Sequence, residues 1–160
     1  MTAYEIMRDW ASALSSDEAL SEWISKTFGA PLTVRIGYDA VTSFGPGEAP
    51  YIVFSPAGEE TGPERDEVTF DIAMFLGLVK REEKGEPSAA KIDVNDAMEL
   101  KETAFSPLAL EAIAAHCNPD LAPGMAEGQT FPPRDGYCER QIILTVTLPN
   151  TFNLRQTPWR

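Results

Sequence analysis

The chain has 160 residues and a mass of 17.5 kDa, one domain's worth, and folding at this size buries about two-thirds of the extended surface without help from a metal or disulfide. Hydrophobic residues make up 43% and charged residues 24%, a globular balance, and 25 acids against 13 bases leave a net charge of −12. That charge repels phosphate backbones and anionic lipids, so neither sequence-specific nucleic acid nor a membrane is expected as a partner.

The N-terminus, Met1-Thr-Ala-Tyr-Glu-Ile, has no basic region followed by a long apolar run, so no secretory leader is expected and the expected location is cytoplasmic. Residues 1–28 read as a helical segment in two pieces. Ile6, Met7, Trp10 and Leu14 form one apolar stripe, and Leu20, Trp23, Ile24 and Phe28 form a second. Ser15-Ser16-Asp17-Glu18 separates them as a Ser-x-x-Glu capping box, and Gly29 and Pro31 close the segment. The two tryptophans are expected to pack in a core.

From residue 32 the period changes. Thr33–Tyr38 and Tyr51–Phe54 read as short strands joined by a loop containing Phe44-Gly45-Pro46-Gly47, with Ser55-Pro56-Ala57-Gly58 stopping the second. Residues 57–66 read as a polar connection. Val68, Phe70, Ile72, Met74, Leu76 and Leu78 then occupy every second position, the period of a strand. The alternate positions carry Thr69 and Asp71 first, then Ala73, Phe75 and Val79, so one end should be half-solvated and the other buried on both faces. A strand from Asp66 to Arg81 far exceeds the usual length of about five or six residues.

Residues 81–91 read as a charged break, and 92–104 suit helix and strand equally. Ser106-Pro107 reads as a cap and first-turn proline, opening a helix that turns Leu108, Ala112 and Ala115 inward, with Leu110 and Ile113 near the same stripe. Residues 118–138 read as a long loop insert. Ile142, Leu144, Val146 and Leu148 mark a second alternating strand ended by Pro149, and residues 150–160 form an extended tail. The expected architecture is a single α+β domain: an antiparallel sheet with helices packed on one face.

Motifs for chemistry are sparse. His116 is the only histidine, and no Gly-x-Ser-x-Gly elbow accompanies it. Cys117 is its neighbour on a helix, where adjacent side chains diverge, while Cys138 is free to approach it in the fold. His116 therefore reads as a helix-end residue without a catalytic task. His116, Cys117 and Cys138 fit no zinc spacing, Asp93, Asn95, Asp96 and Glu99 lack the glycine of a calcium loop, and Gly58–Gly62 lacks the lysine of a phosphate loop. The acidic pairs Glu59-Glu60, Asp66-Glu67 and Glu82-Glu83 read as solvated loop charge. No catalytic, metal or cofactor site is assigned, and no cofactor or enzymatic role is expected. The long apolar strand is the unusual feature. Its backbone edge is a template for another chain, which points to self-assembly.

Three segments in order, Ala49-Pro50-Tyr51-Ile52-Val53-Phe54, the run from Val68 to Leu76, and Arg140-Gln-Ile-Ile-Leu-Thr-Val-Thr-Leu148, with an amphipathic helix before them, resemble the tail terminator (tail completion) proteins of long-tailed bacteriophages and the related minor tail proteins of prophages. The chain differs from that pattern in its doubled N-terminal helix, its 118–138 insert and its tryptophan-bearing tail. The resemblance implies a homo-oligomeric ring, typically a hexamer, that caps the tail tube and contacts tail-tube and neck or head-completion proteins. It also implies a place in the virion tail after assembly in the cytoplasm. It carries over no site residues; Glu59, Glu60, Arg65 and Glu67 of the polar connection and Arg81 beyond the long strand are the candidate interface positions. The alternatives are a cytoplasmic α+β small-ligand-binding domain or enzyme using His116, and an acidic adaptor for a basic protein.

Overall fold

The computed structural model describes residues 1–37, 48–60, 62, 66–79, 104–131 and 137–150. Helix α1 (Ala3–Ser16) begins at a capping box absent from the sequence reading: the Thr2 hydroxyl accepts from the Glu5 N–H, and the Glu5 carboxylate accepts from the Thr2 N–H at 2.7 Å. Helix α2 (Glu18–Phe28) follows almost without a break. The Ser-x-x-Glu box expected at their junction does not form. Ser15 and Ser16 donate back to the carbonyls of Ala11 and Ser12, and Asp17 caps α2 by accepting from the Leu20 N–H at 2.8 Å. A serine inside a finished helix turn finds its own carbonyl four residues back before it finds the next helix. Gly29 ends α2 in the left-handed conformation, φ 64°.

Strand β1 (Thr33–Ile36) runs parallel to β2 (Tyr51–Glu60), against the expectation of a wholly antiparallel sheet. Strand β2 also continues through Ser55-Pro56-Ala57-Gly58, where a stop was expected. A register shift between Pro56 and Gly58 absorbs the extra residue as a bulge. Pro56 is tolerated because β1 pairs only as far as Phe54, leaving that side of β2 without a neighbour among the described residues. Strand β3 (Glu67–Val79) pairs antiparallel with β5 (Tyr137–Pro149) along its whole length on one side and with β2 over Thr69–Gly77 on the other. The expectation that this long strand offers its own backbone edge to another chain is therefore overturned: it lies in the middle of the sheet, its N–H and C=O groups used within the chain. Within the expected 118–138 loop lie a 3₁₀ turn (Pro119–Leu121) and strand β4 (Met125–Thr130), which pairs antiparallel with β5. The sheet order is β1-β2-β3-β5-β4. The readings for residues 38–47, 80–103, 132–136 and 151–160 lie outside the described residues.

Helix α3 (Ser106–His116) starts at Phe105, which holds the cap position without a side-chain bond, so Ser106 is not the cap. Its inward face is Ala109, Ala112 and Ile113; Ala115 is exposed, and Leu108 and Leu110 are half-buried. All three helices cover one face of the sheet. There Phe70, Ile72, Met74, Leu76 and Leu78 of β3 and Ile142, Leu144 and Val146 of β5 join Ile6, Trp10, Leu14, Leu20, Ile24, Phe28 and Phe105 in one core. Trp10 lies against Phe54, ring centroids 5.9 Å apart, and donates its indole N–H to the Leu121 carbonyl at 2.9 Å. Trp23 stacks on Phe105 and meets Phe28 edge-on. Both tryptophans are thus structural, as the stripes suggested.

The second face divides as the alternation of β3 suggests, except that Phe75 is only half-buried; the Val79 side chain lies outside the description. At one end Thr145 donates to Asp71 at 2.8 Å, and the Thr69 and Thr147 hydroxyls lie 3.3 Å apart. At the other, Tyr51 and Val53 are wholly buried and Ala73 nearly so. Tyr51, Gly77 and Glu139 form one row across β2, β3 and β5. The Tyr51 ring lies flat over Gly77, and its hydroxyl donates to the Glu139 carboxylate on the strand beyond. A Cβ at position 77 would land on that ring, so the row requires glycine. Gly77→Ala is expected to lower unfolding stability by about 1–3 kcal/mol, measured by urea titration, because the buried ring has nowhere to retreat. An unchanged midpoint would show that the ring moves freely.

Candidate assembly surface

The interface positions named from sequence divide by their place on β3. Glu59 and Glu60 end β2, Glu67 begins β3, and Asp66 precedes it; Glu59, Asp66 and Glu67 are exposed, as is Glu60. Asn150, just past β5, ties this end together. Its N–H donates to the Asp66 carbonyl at 2.7 Å and its side-chain amide to the Gly62 carbonyl at 2.9 Å. The acids therefore form one negatively charged end of the sheet. The thirteen residues of β3 carry the chain to the opposite end, about 40 Å away at ~3.3 Å per residue. Arg65 and Arg81 lie outside the described residues.

His116 and Cys117 lie at the C-terminal end of α3, where the three helices meet. His116, at the exposed C-terminal end of α3, has its Nε2 3.1 Å from the Asp17 carboxylate. The other oxygen of Asp17 is the cap of α2. One aspartate thus joins three helices: it ends α1, starts α2 and holds the imidazole of α3. About two turns back along α1, the Asp9 carboxylate accepts from the Asn118 N–H at 2.8 Å, fixing the chain as it leaves α3. His116 faces solvent while Cys117 is buried in the core, so the two side chains diverge as helix geometry requires. The Cys138 side chain lies outside the description. Among the described residues no three His, Cys, Asp or Glu side chains converge to hold a metal ion, and no helix is long and apolar enough to cross a membrane.

Burial pushes the Cys117 thiol above the ordinary thiol range, and the nearby Asp9 carboxylate pushes the same way. Fold stability linked to this group is therefore complete below its unfolded pKa and declines as pH rises through and beyond it.

Sequence reasoning missed the two positions that matter most at the sheet edges. Strand β4 was hidden in the expected loop insert because Met-Ala-Glu-Gly-Gln-Thr has no apolar alternation. Ala126, Glu127, Gly128 and Gln129 are all exposed. Gly128 instead leaves room for the Arg140 guanidinium of β5 to lie across the strand. Arg35, exposed on β1, was read as part of a strand but never weighed as a contact. Neither Arg35 nor Glu127 has an ion-pair partner among the described residues.

Two outcomes are expected from these ties. Asp17→Ala should lower stability by about 1 kcal/mol through loss of the α2 cap, whereas His116→Ala should change it little, since the pair is exposed; thermal unfolding separates the two. Cys117 in the native protein should be alkylated far more slowly than in urea at pH 8, read peptide by peptide by mass spectrometry; equal rates would contradict its burial. Compared with known proteins, the chain matches no family model and no curated sequence.

Proposed function

We propose that this chain is a structural subunit that works by assembling with copies of itself, as a phage or prophage tail terminator or tail-completion protein. In this reading it forms a ring, hexameric by the resemblance, that caps the tail tube and joins it to the neck. The observation that carries the reading is the open sheet. Both outer strands, β1 and β4, present a backbone edge with no strand beside it among the described residues, and Ala126, Glu127, Gly128 and Gln129 of β4 are exposed. Free backbone N–H and C=O groups along such an edge are a template on which a further strand can add.

Charge supports the same reading. A net charge of −12, with Glu59, Glu60, Asp66 and Glu67 grouped at one end, suits a collar through which DNA slides without sticking. The alternative, an enzyme or small-ligand site using His116, draws less support. Its Asp17 partner serves α2, and the adjacent thiol is turned inward.

Light scattering on the purified protein should give a mass several times 17.5 kDa, six times for a hexamer, with closed rings in negative-stain images. A monomer that persists at millimolar concentration, with no ring on added tail tubes, would end the proposal.

A further inference from the structure

The directions of the strands decide how two copies meet. Strand β4 is antiparallel to β5, which is antiparallel to β3, so β4 runs with β3. Strand β1 is parallel to β2, which is antiparallel to β3, so β1 runs against it. The two edges of the sheet therefore point in opposite directions. When copies stand side by side with their helices on the same side, β4 of one meets β1 of the next in antiparallel orientation.

The backbone groups at these edges are complementary in phase. The Thr33 N–H donates to the Pro50 carbonyl and the Gly37 N–H to the Phe54 carbonyl, so residues 33, 35 and 37 bond inward and Val34 and Ile36 turn their N–H and C=O groups outward. On β4 the Phe131 N–H donates to the Glu139 carbonyl, and alternation from there turns the backbone of Ala126 and Gly128 outward. Pairing Ala126 with Ile36 and Gly128 with Val34 joins outward groups to outward groups. In that register Glu127 stands directly opposite Arg35. Both belong to the sheet face away from the helices, since Glu127 pairs with Ile143 and Arg35 with Val53. Both are exposed. On the helix side, Ala126 is small and exposed opposite Ile36, while the Arg140 guanidinium lies over Gly128, opposite Val34; Val34 and Ile36 are only half-buried in the single chain.

We infer that copies of this chain join head to tail, β4 of one adding to β1 of the next as an antiparallel pair, with Glu127 set against Arg35. The inference rests on the assembly reading and names its interface. Such a junction uses two different patches, so it repeats around a ring instead of stopping at a two-fold dimer.

Charge reversal tests it. Arg35→Glu and Glu127→Arg should each weaken assembly at least about fivefold in native mass spectrometry across a dilution series, and the double variant should recover it. A second pair of variants reads the geometry. Ala126→Pro blocks β4 at an outward N–H and leaves the ladder to β5 intact, with circular dichroism confirming the fold. Mixed with Arg35→Glu, it should give a two-chain species and nothing larger, because only one intact β4 and one intact β1 can meet. If the natural protein assembles but both single reversals assemble equally well, the β4–β1 junction is wrong and the assembly reading survives. If Arg35→Glu alone forms a stable dimer through β4, the contact is two-fold and the inference also fails. A natural protein that stays monomeric removes both.

Discussion

The demand of β3 for partners organises this molecule. Thirteen consecutive residues have backbone N–H and C=O groups that need hydrogen bonds on both sides, and five large apolar side chains that need cover on one face. Strand β5, of equal length, meets the first demand on one side, and β2 meets most of it on the other. The helices meet the second. Because side chains alternate strictly, a slip of one residue in either pairing would throw Phe70, Ile72, Met74, Leu76 and Leu78 onto the wrong face, so register and core are a single decision. The Tyr51–Gly77–Glu139 row reinforces that register from the opposite face, since only one alignment brings a ring over a glycine and a hydroxyl to a carboxylate.

The helical layer is held to this sheet by packing and tied at its end by polar groups. Trp10 fills the layer between α1 and β2 and satisfies its indole N–H on the carbonyl of Leu121, so the turn after α3 is bound to the first helix. Asp17 and Asp9 then fix the helix ends around it. Of the residues most suggestive of catalysis in the sequence, His116 meets the aspartate that caps α2, and Cys117 is buried in the core.

What remains uncommitted is at the margins. Short edge strands carrying exposed charge, Arg35 on β1 and Glu127 on β4, resist indiscriminate strand pairing. Their selectivity would come from phase, direction and one pair of opposite charges. In the proposed ring such an interface would be weak at a single junction and gain strength from closure, every copy contributing two junctions.

The long strands, the two N-terminal helices and the α+β class were legible in the sequence because each buries one face against a common core, which imprints a period of 2 or 3.6 on the residues. The solvated half of the second face was legible for the same reason, from Thr69 and Asp71 set against Ala73. Strand β4 was not, since Met-Ala-Glu-Gly-Gln-Thr has no apolar alternation to show. Nor was the continuation of β2 through Pro56 and Gly58, where a bulge and a missing neighbour removed the usual penalty. The acidic end of the sheet, Glu59, Glu60 and Glu67, could be named from sequence, but the Arg35 and Glu127 edges could not be paired. Amino-acid pattern alone determined which surfaces must be hidden, because burial acts on each residue separately. Strand direction, edge identity and the outward phase of backbone groups were decided only in the folded sheet, because they belong to relations between segments far apart in the chain.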